Sequence, residues 1–178
     1  TDGGMLLSGA LFDIERPGAY TNSANTFVAD GRQRYRGLEV SAQGRLTRAL
    51  AWQLSAQSLD AEFRGINAQY NGKMPENTAR QTASAFLSYD IAAVPGLSVN
   101  AGAYYTGRRP VDDLNQAFIG GNTIFGLGAR YVTQLFGKRT LWQVNVDNVA
   151  DKRYWAAAGT RLAVGAPRSI KATLKVDL

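Results

Sequence analysis

The feature that most constrains this chain is a period-two alternation of apolar and polar residues, repeated in segments along almost its whole length. Eight such segments, of about 8–11 residues, lie around Met5–Glu15, Tyr35–Gln43, Ala49–Leu59, Gln81–Ile91, Leu97–Gly107, Thr123–Tyr131, Thr140–Val149 and Ser169–Leu178. Successive side chains of a strand point to opposite faces, so each segment predicts a strand with one apolar and one polar side. Helical periodicity is poor throughout. The apolar side reads Ala10, Phe12, Ile14; Leu38, Val40, Ala42; Leu50, Trp52, Leu54, Ala56; Ala83, Ala85, Leu87, Tyr89; Leu97, Val99, Ala101, Ala103, Tyr105; Phe125, Leu127, Ala129, Tyr131; Trp142, Val144, Val146; and Ile170, Ala172, Leu174, Val176, Leu178. None of these is charged. Ser8 interrupts this side, and Phe86 and Leu141 interrupt the other.

Alternation alone does not say which side faces out. A soluble barrel buries the apolar side, whereas a membrane barrel shows it to lipid. Three features point to the membrane. The segments approach the roughly 9–11 tilted residues that cross a bilayer. The polar side is built of Ser, Gln, Asn, Thr and Gly, where a soluble exterior would carry more Lys and Glu. Aromatics gather near segment ends, at Tyr35, Tyr89, Tyr104, Tyr105, Tyr131 and Trp142, as in interface girdles.

The connections alternate in length. Arg16–Arg34, Asp60–Arg80, Arg108–Asn122 and Asn148–Arg168 are long; Gly44–Arg48, Ala92–Gly96 and Val132–Arg139 are short. Short turns at one end and long loops at the other mark an outer-membrane barrel. This pattern puts the C-terminus on the periplasmic side and the long loops outside.

Charged residues make up 19% of the chain, with a net charge of +6 and neither cysteine nor histidine. The absences remove disulfides, thiolate metal sites, and the commonest general base and zinc ligand, so no catalytic or metal-binding residue is assigned and an enzyme is not expected. The cations cluster at turns, as loop tips, membrane-edge anchors or attractors of anionic ligands and lipid head groups. No basic helix accompanies them, so nucleic acid is not an expected partner. No signal peptide is visible ahead of the Thr1-Asp2-Gly3-Gly4 start, which suggests that an N-terminal part is missing.

Several phrases resemble a known family. They are Ala10–Ile14, Tyr35–Val40, and Leu97–Arg109 followed by Asp112, Asp113 and Asn115. Val144–Trp155, with its Asn-x-x-Asp-x-x-Tyr pattern, and Gly165-Ala166-Pro167-Arg168 before the last segment complete the set. In this order they resemble the C-terminal portion of TonB-dependent siderophore receptors, over essentially the whole chain. The resemblance implies an all-β, antiparallel transmembrane barrel in which residues 1–178 supply about eight C-terminal strands of a larger, roughly 22-stranded plugged wall. It implies TonB-dependent uptake of a ferric siderophore as transported ligand, with no resident cofactor. The expected partners are the siderophore, the TonB–ExbB–ExbD system acting through the missing plug, and outer-membrane lipids. The family usually ends on an aromatic residue, where this chain has Leu178. Aromatic and cationic loop residues suit such ligands, and the candidates are Tyr20, Tyr70, Arg108, Arg109, Asn115, Tyr154 and Trp155. Glu39, Arg130 and Asp147 are expected to face the lumen or the plug, pairing there or with one another. Gly37, Gly102, Gly126 and Gly128 are expected to let another domain approach. Two alternatives stay open: a complete eight-stranded outer-membrane barrel, as adhesin or structural protein, and a soluble lipocalin-like barrel.

Overall fold

The computed structural model describes residues 4–21, 24–65, 67–158 and 161–177. In chain order its strands are β1 Met5–Thr21, β2 Phe27–Arg45, β3 Leu50–Arg64, β4 Gln81–Asp90, β5 Leu97–Thr106, β6 Arg109–Pro110, β7 Phe118–Ile119, β8 Asn122–Leu135, β9 Lys138–Asp147, β10 Trp155–Ala158, β11 Arg161–Val164 and β12 Ser169–Val176. Eight of them form one antiparallel sheet in the order β1-β2-β3-β4-β5-β8-β9-β12. Each long strand therefore pairs with its sequence neighbours, as the alternating connections require. Two small ribbons, β6–β7 and β10–β11, occupy two of the long connections.

Among the described residues β1 and β12 pair only inward, with β2 and β9, and not with each other. The sheet is a section of wall with two free edges, so the closed eight-stranded barrel is not what forms. The soluble barrel fails on burial. The buried apolar residues are Ala61, Phe63, Met74 and Ile119, while Leu38, Leu54, Leu87, Val99, Phe125, Leu127, Trp142, Val144 and Ile170 stand exposed on one face. An uncovered apolar face of that extent is a lipid-facing surface.

Residues paired across strands share a face. The row Leu50–Tyr89–Val99–Ala129–Val144–Ala172 and the next, Trp52–Leu87–Ala101–Leu127–Val146–Ile170, run unbroken from β3 to β12. For these strands, and for β2, the expected faces hold. In β1 they are reversed. Leu7 pairs with Ala42 and Leu11 with Leu38, on the apolar side, whereas Ala10 opposes Glu39 and Phe12 opposes Gly37. Ala10, Phe12 and Ile14 belong to the polar side.

The expected loop Arg16–Arg34 is instead mostly strand, because β1 and β2 run to 17 and 19 residues and carry their ladder past the apolar zone. On the apolar side that zone ends in a charge ladder. Arg34 pairs with Asp13, Arg32 with Glu15 at 2.8 Å, Arg36 with Asp60 at 3.1 Å and Arg64 with Glu62 at 2.5 Å. The β8–β9 connection contracts to a two-residue turn, Phe136 and Gly137, with φ of 51° and 74°, the positive pair that a tight hairpin needs.

The glycines of the polar face are covered from within the wall. A β-carbon at Gly37 would lie 2.5 Å from Cζ of Phe12, and one at Gly128 would lie 2.6 Å from the Asn145 amide and 2.7 Å from that of Asn100. Gly102 lies under the Tyr104 ring, and only Gly126 of the four has no side chain over it. These glycines make room for neighbouring side chains.

Candidate functional site

The long-connection end holds the molecule's densest packing. Phe63, Pro110 and Ile119 are buried there with Met74. Phe63 N–H donates to Lys73 O at 2.9 Å, and Asn77 N–H to Pro110 O at 2.9 Å, so the β3–β4 and β5–β8 connections are tied together. Asn115 is the main fastener. Its Oδ1 accepts from Met74 N–H at 2.9 Å, and its Nδ2 donates to Met74 O at 2.7 Å and Asp112 O at 3.1 Å. Asp113 accepts from Glu76 N–H at 2.7 Å. Burial, then the nearby Asp113 and Asp112, push the Glu76 carboxyl above its ordinary value.

The third long connection has its own fastener. Asn148, only 3% exposed, accepts from Lys152 N–H at 2.8 Å and donates to Lys152 O at 2.9 Å and Ala166 O at 3.0 Å. Its φ of 51° lies in the left-handed region that Asn tolerates. A β-carbon at Gly165 would lie 2.2 Å from the Tyr154 ring, so Gly165 is the seat of that ring. The two familiar phrases, Asn148–Tyr154 and Gly165–Arg168, therefore fold onto each other; Arg168 N–H donates to Asp151 at 3.0 Å.

The two adjacent arginines part company. Arg108 is exposed, with its guanidinium 3.9 Å over the Phe118 ring, and shares a recess with Gln81 and Tyr105, both on the apolar side. Arg109 is 6% exposed and lines a recess of about 540 Å³ with Tyr35, Gln57, Thr82 and Thr106 of the polar side. Its Nη2 donates to Trp155 O at 3.3 Å, and its buried Nη1 has no hydrogen-bond partner among the described residues. Among the described residues no acid lines this recess. Arg16 donates to Gln33 Oε1 and to the Tyr35 hydroxyl, each at 2.8 Å, and that hydroxyl donates to Gln33 at 2.7 Å. The recess thus presents a buried cation, a phenol held by a second cation, and neutral hydroxyls and amides. Such a wall suits an anionic or polar ligand.

Of the other candidates, Trp155 is exposed at the start of β10, and Tyr70 packs its ring 6.1 Å from that of Phe63. The side chain of Tyr20 lies outside the described residues. Glu39, Arg130 and Asp147 all sit on the polar face, opposite Gln57, Ser98 and Ser169. They do not pair with one another: Glu39 accepts from Gln57 at 2.7 Å, and Asp147 from Lys171 at 2.8 Å.

The model of the TonB-dependent receptor-like β-barrel matches residues 1–149. The chain belongs to this family. It is 31% identical to the ferrichrome receptor FcuA of Yersinia enterocolitica, over 98% of this chain and 23% of that protein. It is 29% identical to the ferrioxamine B receptor of Salmonella typhimurium, over 94% of this chain and 25% of that one. Among solved structures it resembles BauA, the ferric preacinetobactin receptor of Acinetobacter baumannii, with a TM-score of 0.85 at 25% identity, covering 98% of this chain and 27% of that one. The chain therefore spans about a quarter of the length of these relatives, as eight strands of a larger plugged barrel.

Within a TonB-dependent receptor barrel, three contributors to the recess were not legible as site residues. Tyr35 reads from sequence as an interface aromatic, Gln57 as generic polar wall, and Arg16 as loop. Only the register, which sets Arg16 opposite Gln33 and Tyr35 beside Ala61, brings them to the same end of the polar face.

Proposed function

We propose that this chain is the C-terminal portion of the barrel of an outer-membrane receptor that imports a ferric siderophore, using energy passed from TonB–ExbB–ExbD through a plug that residues 1–178 do not include. The long connections face the exterior and the C-terminus the periplasm. The polar face, with Glu39, Arg130 and Asp147, lines the lumen and meets the plug. The observation that carries the reading is the recess at the long-connection end, where, among the described residues, the buried Arg109 guanidinium has no carboxylate partner and no acid lines the wall. The names of the relatives support iron chelates as the ligand class.

In this reading Arg109, Tyr35 and Trp155 meet the ligand. Asn115, Tyr154 and Tyr70 hold the loops that shape the recess. Cells that carry the full-length receptor as their sole siderophore receptor should accumulate radioactive iron from a ferric hydroxamate, and should stop when TonB is deleted. Accumulation indifferent to TonB overturns the reading.

A further inference from the structure

A second recess, of about 370 Å³, opens on the other side of the wall, between the connections that follow β3 and β5. Arg80, Gln81, Tyr105, Arg108 and Phe118 line it. Its height in the membrane follows from the sheet. The lipid-facing run of β5 begins at Leu97, in the row of Tyr131 and Trp142, and ends at Tyr105. Those eight steps, at roughly 3.4 Å each and a tilt of about 40°, rise about 21 Å, close to the roughly 25 Å apolar band of such barrels. Aromatic residues therefore mark both margins, and the recess lies just past Tyr105, in the head-group layer on the long-connection side.

Its charge distinguishes it from the rest of that margin. On β1–β3 the margin's arginines, Arg32, Arg34, Arg36 and Arg64, each have a carboxylate. Among the described residues neither Arg80 nor Arg108 has one. Arg108 instead has its guanidinium carbon 3.9 Å over the Phe118 ring, and the residue stays exposed. Lys152 brings a third cation to the same margin, bonding through Nζ to Thr123 O at 3.4 Å, in the row of Tyr105. Two unpaired guanidinium groups above a tyrosine at the head-group level fit a phosphate, which takes paired N–H donors, attached to an acyl chain that continues down the apolar face.

We propose that this recess binds the phosphate of a lipid head group, with Arg80 and Arg108 as its counter-charges and Tyr105 and Phe118 flanking the start of the acyl chains. The proposal uses the membrane barrel alone and does not depend on which ligand is carried. The test takes the full-length receptor in detergent, titrated with short-chain phosphatidic acid, with diacylglycerol of the same chains, or with inorganic phosphate. Bound molecules are counted by native mass spectrometry. Phosphatidic acid should be retained at least tenfold over diacylglycerol and over inorganic phosphate. Combined Arg80→Ala and Arg108→Ala should cut its retention at least fivefold, while Arg48→Ala, at the opposite margin, leaves it unchanged. Undiminished retention in the double variant, equal loss in Arg48→Ala, or equal retention of inorganic phosphate each overturns the proposal. Should the double variant fail to fold, salt decides with the wild-type receptor: retention should fall severalfold between about 0.05 and 0.5 M NaCl, as screening of exposed charges requires. Retention indifferent to salt overturns it.

Discussion

Leu7 and Ala10 stand three positions apart on β1 and on opposite faces of the wall, and an arginine at each should behave very differently. Leu7 lies in the apolar row Ala42–Leu54–Ala85–Ala103–Phe125 and is 68% exposed. It is six residues below Asp13, where the charge ladder begins. At roughly 3.4 Å per residue and a tilt of about 40° that is about 15 Å, near the middle of the apolar band. Leu7→Arg should therefore cost about 2–4 kcal/mol, the penalty of a cation facing lipid at the midplane. Ala10→Arg places the same side chain on the polar face opposite the Glu39 carboxylate, where an exposed ion pair contributes about 0–1 kcal/mol in its favour. The two variants should therefore differ by about 2–5 kcal/mol, or about 30- to 4,000-fold in folding equilibrium. Urea unfolding of the full-length receptor in vesicles, followed by the gel-mobility shift of the folded barrel, measures this directly. Equal midpoints, or a larger loss for Ala10→Arg, would refute the register-based faces and restore the alternation in which Ala10, Phe12 and Ile14 meet lipid.

Two further outcomes concern the loops. Asn115→Ala removes three side-chain hydrogen bonds and leaves alanine at a φ of 57°, so the tie between residues 73–78 and 111–117 should weaken by about 2–4 kcal/mol; hydrogen exchange at Met74 and Asn77 should accelerate at least thirtyfold, and unchanged protection would count against the fastening role. Glu76 is held above its ordinary 4.5 by burial, Asp113 and Asp112, which means that the fold favours its protonated form. Its contribution is then full below that ordinary value and is lost as pH rises through the elevated one, so protection at residues 74–78, taken relative to intrinsic exchange at each pH, should be higher near pH 4 than at pH 7, and Glu76→Gln should flatten the difference. A wild-type profile already flat would refute the sign.

Most of the wall was legible because period-two alternation is a local property, and seven strands display it cleanly. β1 does not. Leu6, Leu7, Ala10, Leu11, Phe12 and Ile14 put large apolar residues on both faces, and the charges at Asp13 and Glu15 look like the polar side of a membrane strand. They belong to the lipid side, but past the end of the apolar band, where Arg32 and Arg34 of β2 pair with them. Only a partner strand reveals that, since height above the membrane depends on register. The same limit hid the recess: Arg16, Tyr35 and Gln57 come from three strands, and each is unremarkable alone. Asn115 and Asn148, by contrast, lie in phrases that stand out in the sequence, and the structure gives those phrases a mechanical meaning as loop fasteners.

The dipeptide Arg108-Arg109 shows how little a residue type says before its side is known. β5 ends at Thr106, and the strict alternation ends with it: continued, it would turn Arg108 inward and Arg109 outward, whereas beyond Gly107 the two guanidinium groups part the other way, one to each side of the wall. Outside, Arg108 stays exposed, its guanidinium carbon over the Phe118 ring at the level of the head groups, where a cation is cheaply solvated. Inside, Arg109 loses nearly all its water and gains one 3.3 Å bond to the Trp155 carbonyl. Burying a cation with so few partners is costly, and an acid substituted nearby would remove that cost. Four carboxylates, Asp13, Glu15, Asp60 and Glu62, stand instead beside arginines at the exposed margin. That inversion, partners where they matter least and none where one matters most, is the physical reason to regard the inner arginine as waiting for an anion and the outer one as part of the membrane's edge.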